Sequence, residues 1–131
     1  MTPELETLYP RIGQQLLDIA GEPFARGFIR VEMGDDFGSV GIFVDRGDGA
    51  YAYLTDDDGA LYDLFSELRE RCIGAGLGAW SQATFSLQGS GAFNIEFGHD
   101  DISDLGQGPQ RRDAWVRRVL GAQARVHWLQ S

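Results

Sequence analysis

The residues best suited to chemistry stand together at His99, Asp100 and Asp101, directly after a stretch of alternating apolar and polar residues. An imidazole beside carboxylates can act in general acid–base catalysis or contribute to a metal site. Neighbouring residues on an extended strand point to opposite faces, however, and the second histidine, His127, lies far along the chain. The sequence therefore favours a solvated strand end or a binding surface. It leaves open a small enzyme or metal-binding protein that uses His99 with Asp100 or Asp101.

A second acidic group, Asp56-Asp57-Asp58, has the composition of a calcium loop, and Glu67 stands at the twelfth position counted from Asp56. The sixth position of such a loop requires glycine and the fifth requires an oxygen ligand, but Leu61 and Ala60 occupy them. The pattern excludes an EF-hand. Acidic residues before a helical repeat instead indicate a helix N-terminus, where negative charge is favourable, and a partner contact is compatible with that position.

Other common catalytic motifs are missing from the sequence. The glycine cluster at Gly74–Gly78 has no Walker lysine and follows a predicted helix, and no serine stands in a Gly-x-Ser-x-Gly elbow. Cys72 is the single cysteine and lies at helical spacing from Leu68, which is typical of a buried thiol. We therefore expect no cofactor, no bound metal and no catalytic residue.

Charge is the strongest feature of the composition. The chain has 20 acidic and 11 basic residues and a formal net charge of -9. Eight acidic residues and one arginine lie between Glu32 and Asp58, whereas five arginines and one acidic residue lie between Arg111 and Arg125. An acidic protein is repelled by phosphate backbones, so the charge argues against nucleic acid as a ligand and favours a basic partner. An acidic excess that merely maintains solubility remains the simpler alternative.

Length and hydropathy limit the architecture. With 131 residues and 43% apolar content, the chain is sufficient for one compact core, and we expect a single domain over residues 1–131. No apolar run approaches the roughly 20 residues that span a bilayer, and the N-terminus lacks the basic and apolar regions of a signal peptide. These features predict a cytoplasmic protein without a membrane partner.

Periodicity predicts the order α-β-β-β-α-β-β-α. The pattern is typical of a two-layer α+β domain, in which an antiparallel sheet of about five strands carries its helices on one face. The expected elements are a helix from Thr2-Pro3 to Ala20-Gly21, strands over 27–33, 40–44 and 50–54, a helix from Asp56–Asp58 to Cys72, a hairpin over 83–97 that turns at Gly89–Gly91, and a helix from Pro109.

Spacing also separates predicted core residues from surface residues. We assign Phe93, Ile95, Phe97 and Trp115 to the core because they recur on one side of their elements. The arginines of the last helix are expected mainly on its outer side: Arg111, Arg112, Arg117 and Arg118. The segment Val126–Leu129 is apolar, so we expect it to dock on the domain.

The second half of the chain resembles the YezG-like family of bacterial immunity proteins. The resemblance covers Trp80 to Gly121 and rests on a succession of landmarks rather than on one motif. They are a tryptophan before a strand, a glycine hairpin, an aromatic alternating strand, paired acids and an Arg-Arg-x-x-Trp helix: Trp80, Gly89–Gly91, Phe93-Ile95-Phe97, Asp100-Asp101 and Arg111-Arg112-x-x-Trp115. Gly98-His99 departs from the family, which often has an aromatic residue before the paired acids.

The resemblance implies an antitoxin that neutralises a cognate toxin, commonly a nuclease, by binding it and without a reaction of its own. Carboxylates would then pair with the basic residues of the toxin. The residues predicted to contact the partner are Asp56, Asp57, Asp58, Asp100, Asp101 and Asp104, with Tyr51 and Tyr53 as exposed aromatic anchors. A regulatory module that self-associates through a sheet edge is a further alternative, and the sequence leaves the oligomeric state open.

Overall fold

The computed structural model describes residues 6–21, 23–35, 37–45, 47 and 50–128. The predicted helix start at Thr2-Pro3 and part of the predicted turn over 46–49 lie outside these residues. The described elements are α1 Leu8–Ala20, β1 Arg26–Met33, β2 Gly38–Asp45, β3 Ala50–Leu54, α2 Ala60–Gly74, β4 Gln82–Gln88, β5 Phe93–Gly98, α3 Gly108–Trp115 and β6 Arg125–His127. A short 3-10 turn, Leu105–Gln107, precedes α3, and a wider π turn, Val116–Leu120, follows it.

The strands form one sheet in the order β5-β4-β1-β2-β3-β6. The α+β class and the antiparallel β1-β2-β3 meander are confirmed. The prediction of about five strands, all antiparallel, is wrong, because β6 adds a sixth strand parallel to β3, with Ala50 opposite Arg125. Three residues are too few to display an alternating pattern, so sequence periodicity does not reveal a strand of this length.

One face of the sheet carries the larger core. The apolar sides of α1 and α2 pack there against alternate residues of the strands. Completely buried members include Leu8, Ile12 and Leu16 from α1, Leu61, Phe65 and Leu68 from α2, and Ile29, Ile42 and Phe85 from the sheet. The α1 boundary at Ala20-Gly21 agrees with the prediction.

The opposite face carries a second, aromatic cluster, so the prediction that the helices cover one face of a two-layer domain is wrong. Trp115 of α3 packs on this face with its ring centroid 5.0 Å from that of Phe43 and 6.4 Å from that of Phe28. Its indole Nε1 donates a 2.8 Å hydrogen bond to Thr84 Oγ1. The central strands are apolar on both faces, and such strands need a layer on each side. Trp115 itself is buried, as predicted.

The chain after α3 closes over the same cluster. Val126 lies in β6, and the ring of Trp128 packs 5.7 Å from Phe43 and 5.2 Å from Tyr53. The Arg112 guanidinium lies 4.5 Å from the centroid of the Trp128 ring, a favourable cation–π geometry. Docking of the tail is thus confirmed for Val126–Trp128, and Leu129 lies outside the described residues.

The β4-β5 hairpin forms as predicted. Gln88 N donates to Ala92 O at 2.8 Å, and Gly91 takes a φ of 96° that residues with a Cβ rarely adopt. Because β5 is the outermost strand, its side chains are less buried than those of β4. Phe93 remains 48% exposed, so its assignment to the core is wrong, while Ile95 and Phe97 are half-buried.

Candidate functional site

Three acidic segments leave the sheet at the same end. Strand register places Met33 opposite Gly38, Glu32 opposite Gln82, and Gln82 opposite Gly98. The β1-β2 turn, the β3-α2 connection and the β5-α3 connection therefore begin at one end of the sheet. We call the acidic residues of these connections the acidic end: Asp35, Asp56, Asp57, Asp58, Asp100, Asp101 and Asp104.

The residues of the acidic end extend across several strands and therefore form a surface rather than a single point. From β5 to β3 there are four inter-strand spacings of about 4.8 Å, so the strands that lead into Asp100–Asp104 and Asp56–Asp58 lie about 19 Å apart. Asp35, with a side chain 92% exposed, lies on the turn between them and pairs with Arg69 at 3.0 Å. The sheet thus brings together segments that are more than 40 residues apart in sequence.

Asp56–Asp58 immediately precede α2, which begins at Ala60 rather than at these acids as predicted, and the three carboxylates have different roles. Asp56 accepts hydrogen bonds from the backbone N–H groups of Leu61 at 3.0 Å and Tyr62 at 2.8 Å, so it caps the helix. Asp57 accepts from the Thr55 hydroxyl, and Asp58 accepts from the Ala60 N–H at 3.2 Å. Asp57 and Asp58 are exposed and border an open groove of about 480 Å³ beside the start of β2.

The carboxylates after β5 are all exposed. Asp101 accepts a hydrogen bond from Ser103 N at 2.9 Å, and Asp104 accepts one from Gly106 N at 3.0 Å. Hydrogen bonding from the side chain and backbone of Ser103 lowers the pKa of Asp101, which keeps this carboxylate ionised. The loop therefore presents fixed negative charges to solvent.

A cleft of about 360 Å³ opens between α3 and the β4-β5 side of the sheet. Its base contains Glu32, whose side chain is 10% exposed. Arg111 donates to Glu32 through Nε at 2.6 Å and Nη2 at 3.2 Å, and Arg30 donates through Nη2 at 2.9 Å. The prediction that Arg111 lies on the outer side of its helix is therefore wrong.

Arg30 and Arg111 share the Glu32 carboxylate, but their pKa values are shifted in opposite directions. The hydrogen bond to Glu32 raises the pKa of Arg111 above its ordinary value, whereas burial lowers the pKa of Arg30. Because arginine stays protonated throughout the physiological range, the group is a permanently charged structural link between β1 and α3. It is the most buried charged cluster in the described part of the cleft.

Carboxylates at the rim of the cleft have fewer hydrogen-bond and ion-pair partners than Glu32 at its base. Glu96 on β5 and Asp100 just after it line the cleft, and within the described ranges neither carboxylate has a hydrogen bond or ion pair. Arg118 on the far wall is exposed. The β5 side of the cleft therefore carries carboxylates that are available to an external cation.

His99 does not share this cleft. Asp100 lines it, but His99 is exposed and its Nε2 lies beside Gly78, outside the cleft. In the part of the chain that the structure describes, no group of three His, Cys, Asp or Glu side chains is arranged to hold a metal ion. The structure does not bring His99 together with Asp100 as an acid–base pair in this cleft.

The two tyrosines predicted to be exposed anchors lie inside the aromatic cluster. Tyr51 is only 2% exposed, and its hydroxyl accepts a 2.6 Å hydrogen bond from Arg26 Nη2. Burial raises the pKa of Tyr51. Tyr53 is half-buried against Phe43 and Trp128. The prediction that Tyr51 is exposed is wrong, and the aromatic face of β3 is covered by α3 and the tail.

Cys72 is buried, as predicted from its helical spacing. Burial raises the pKa of its thiol, which opposes formation of the nucleophilic thiolate. Among residues that sequence reasoning missed, Glu32 is the clearest. Phe28, Arg30 and Glu32 occupy every second position and therefore share one side of β1. This mixed pattern indicates that the second face of the strand has both charged and apolar partners.

The profile of a family described as "Immunity protein YezG-like" matches residues 50–126. A relative from Bacillus spizizenii, named Immunity protein YezG, is 28% identical over 137 aligned residues, covering 92% of this chain and 84% of the relative. None of the helices in the described residues has the length and apolar character required to cross a membrane.

Proposed function

Because the chain belongs to the YezG-like family of immunity proteins, we propose that it binds a cognate bacterial toxin and neutralises it without catalysing a reaction. The observation that supports a binding surface is the convergence of three acidic connections at one end of the sheet. Groups that follow strands about 19 Å apart fit within one interface of ordinary size, which buries about 800 Å² on each partner.

The exposed carboxylates suit a toxin with a basic surface. Asp57, Asp58, Asp100 and Asp101 are exposed, and the chain has a net charge of -9. A nuclease holds nucleic acid with arginines and lysines, and carboxylates can occupy the same cations through charge-assisted hydrogen bonds. The proposed antitoxin thus competes with nucleic acid for the basic surface of a nuclease toxin. Asp56 and Asp104 contribute charge, but each also caps its own backbone.

The compartment follows from the same proposal. An antitoxin must meet the toxin where the toxin acts, and for a nuclease that place is the cytoplasm. The single cysteine, present as a buried free thiol, is compatible with a reducing compartment. Fractionation of cells that express the native gene checks this location.

The decisive experiment pairs the protein with the product of the gene immediately upstream, which the proposal takes as the toxin. The two are co-expressed, purified together and measured by isothermal titration calorimetry at 50 mM and 500 mM NaCl. The proposal predicts a one-to-one complex whose Kd weakens at high salt, because electrostatic attraction is screened. Failure to form a complex at either salt concentration would refute the proposal.

Charge-reversal variants locate the surface. D57R/D58R and D100R/D101R each replace two exposed acids of the acidic end. D18R/E70R makes the same change in net charge at exposed positions of α1 and α2 and is the matched control. We expect each acidic-end variant to weaken binding at least 10-fold and the control to change it less than 3-fold. Equal effects of all three would show that only overall charge matters.

A further inference from the structure

Among the described residues no strand lies beside the outer edge of β5, because β5 is the first strand in the sheet order. The Gln88 N to Ala92 O hydrogen bond sets the phase of the antiparallel ladder. In that phase Asn94 and Glu96 direct their backbone groups toward β4, and three residues direct theirs away from it. The outward backbone N–H and C=O groups belong to Phe93, Ile95 and Phe97.

Apart from the charged Glu96, the described residues of this edge lack the features by which proteins usually protect an exposed strand. Edge strands are commonly very short, or carry proline, lysine or a bulge. The six residues of β5 include neither proline nor a basic residue, and its register with β4 runs without interruption from Phe93 to Gly98. At the opposite edge of the sheet, β6 has only three residues. The contrast marks β5 as the edge that is open to pairing.

The two faces of β5 differ in chemistry. On the α1 side lie Phe93, Ile95 and Phe97, and Phe93 stacks on Phe85 while remaining 48% exposed. On the cleft side lie the unpaired carboxylates of Glu96 and, just beyond the strand, Asp100. A strand added at this edge would meet apolar side chains on one face and negative charge on the other.

We propose that β5 pairs with an extended segment of the toxin in which apolar residues alternate with arginine or lysine. Main-chain hydrogen bonds to Phe93, Ile95 and Phe97 would supply affinity, and the apolar and acidic faces would select the sequence. The inference rests on the proposed function and specifies its contact. Charge favours this occupant over a second copy of the chain, because each copy has a net charge of -9 and carries Glu96 on the paired strand.

A pair of substitutions at Ile95 tests the backbone contact. I95A and I95P both remove the half-buried side chain, but only proline also removes the outward N–H and places its ring at the edge. The inward ladder to β4 does not use that N–H. With the neighbouring toxin as the probe, we expect I95P to bind at least 10-fold more weakly than I95A, with both variants showing native circular dichroism. Equal affinities for the two variants would refute strand pairing.

Hydrogen exchange of the wild-type protein gives a second test that does not depend on variant folding. Toxin binding should slow exchange of the Phe93, Ile95 and Phe97 amides at least 10-fold, whereas the Asn94 and Glu96 amides are already protected by β4. A complex that leaves the three outward amides unchanged refutes this inference and leaves the proposed function intact. Absence of any complex refutes both. Concentration-dependent protection without toxin would instead identify a second copy as the occupant and also overturn the inference.

Discussion

Arg111 and Glu32 form a paired contact that joins two elements 79 residues apart in sequence, with Nε to Oε2 at 2.6 Å and Nη2 to Oε1 at 3.2 Å. The contact connects α3, which covers the second face of the sheet, to β1 at its centre. Both side chains are largely buried, and Arg111 together with Arg30 compensates the charge of Glu32.

R111A should lower the free energy of unfolding by about 2–3 kcal/mol, because it leaves the buried Glu32 carboxylate with Arg30 as its remaining partner. Urea denaturation at pH 7 measures the loss. R117A removes an exposed arginine from the next turn of the same segment and is expected to change stability by less than about 0.5 kcal/mol. Equal stabilities for R111A and R117A would contradict a structural role for the contact.

T84V should destabilise the second face by about 1–2 kcal/mol. The substitution removes the acceptor for Trp115 Nε1 and leaves a buried indole N–H without a partner, at nearly unchanged side-chain volume. T84S retains the hydroxyl and serves as the control. Chemical denaturation followed by tryptophan fluorescence checks both variants, and a T84V protein as stable as T84S would show that the hydrogen bond contributes nothing.

Substitutions of the neighbouring acids Asp56 and Asp57 should differ in their effects on stability and on toxin binding. D56A removes the cap of α2 and is expected to cost about 1 kcal/mol of unfolding free energy. D57A removes an exposed carboxylate whose hydrogen-bond partner among the described residues is the neighbouring Thr55 hydroxyl, so the stability of this variant should change by less than about 0.5 kcal/mol. Its toxin affinity should nevertheless fall. Thermal denaturation and calorimetric binding measure the two effects, and the reverse pattern would contradict the assignment.

We expect the free energy of unfolding to fall in alkaline solution, in part because the Cys72 thiol ionises more readily in the unfolded chain. The thiol pKa is raised in the folded protein above its ordinary value of 9.0, so the unfolded chain releases this proton at lower pH. The contribution is complete below pH 9 and is lost as the pH rises above it. The pKa values of Tyr9 and Tyr51 are also raised above the ordinary value of 10.0. Their contributions to stability are therefore lost only above about pH 10.

C72A should therefore lack the part of the decline that begins near pH 9 and keep the part that begins near pH 10. Urea denaturation between pH 7 and 10.5 gives the two curves. The native wild-type thiol should also react slowly with a thiol reagent at pH 8 and quickly in denaturant. Identical pH profiles for wild type and C72A would exclude Cys72 as a source of the decline.

Local patterns were reliable where burial is set by near neighbours. Spacing of apolar residues located α1, the body of α2 and the buried Cys72, and alternation with glycine located the β4-β5 hairpin. The acidic segments could also be read directly from the sequence. Each of these features depends on residues that lie within a few positions of one another.

Alternation was misleading where a strand is buried on both sides. Tyr51 and Tyr53 lie at alternate positions on β3, and the sequence predicts both as exposed aromatic anchors. In the structure α3 and Trp128 cover that face. Periodicity shows which residues share one face of a strand, but it does not show whether another element packs against that face.

The sequence by itself determined the local elements, the excess of carboxylates and the family of the chain. Only the tertiary structure decided that the acidic segments share one end of the sheet, that Arg111 reaches Glu32, and that β5 is the open edge. The reason is that strand order and layer assignment depend on contacts between residues tens of positions apart. Those contacts arise from pairing and packing of whole elements, and no local period records them.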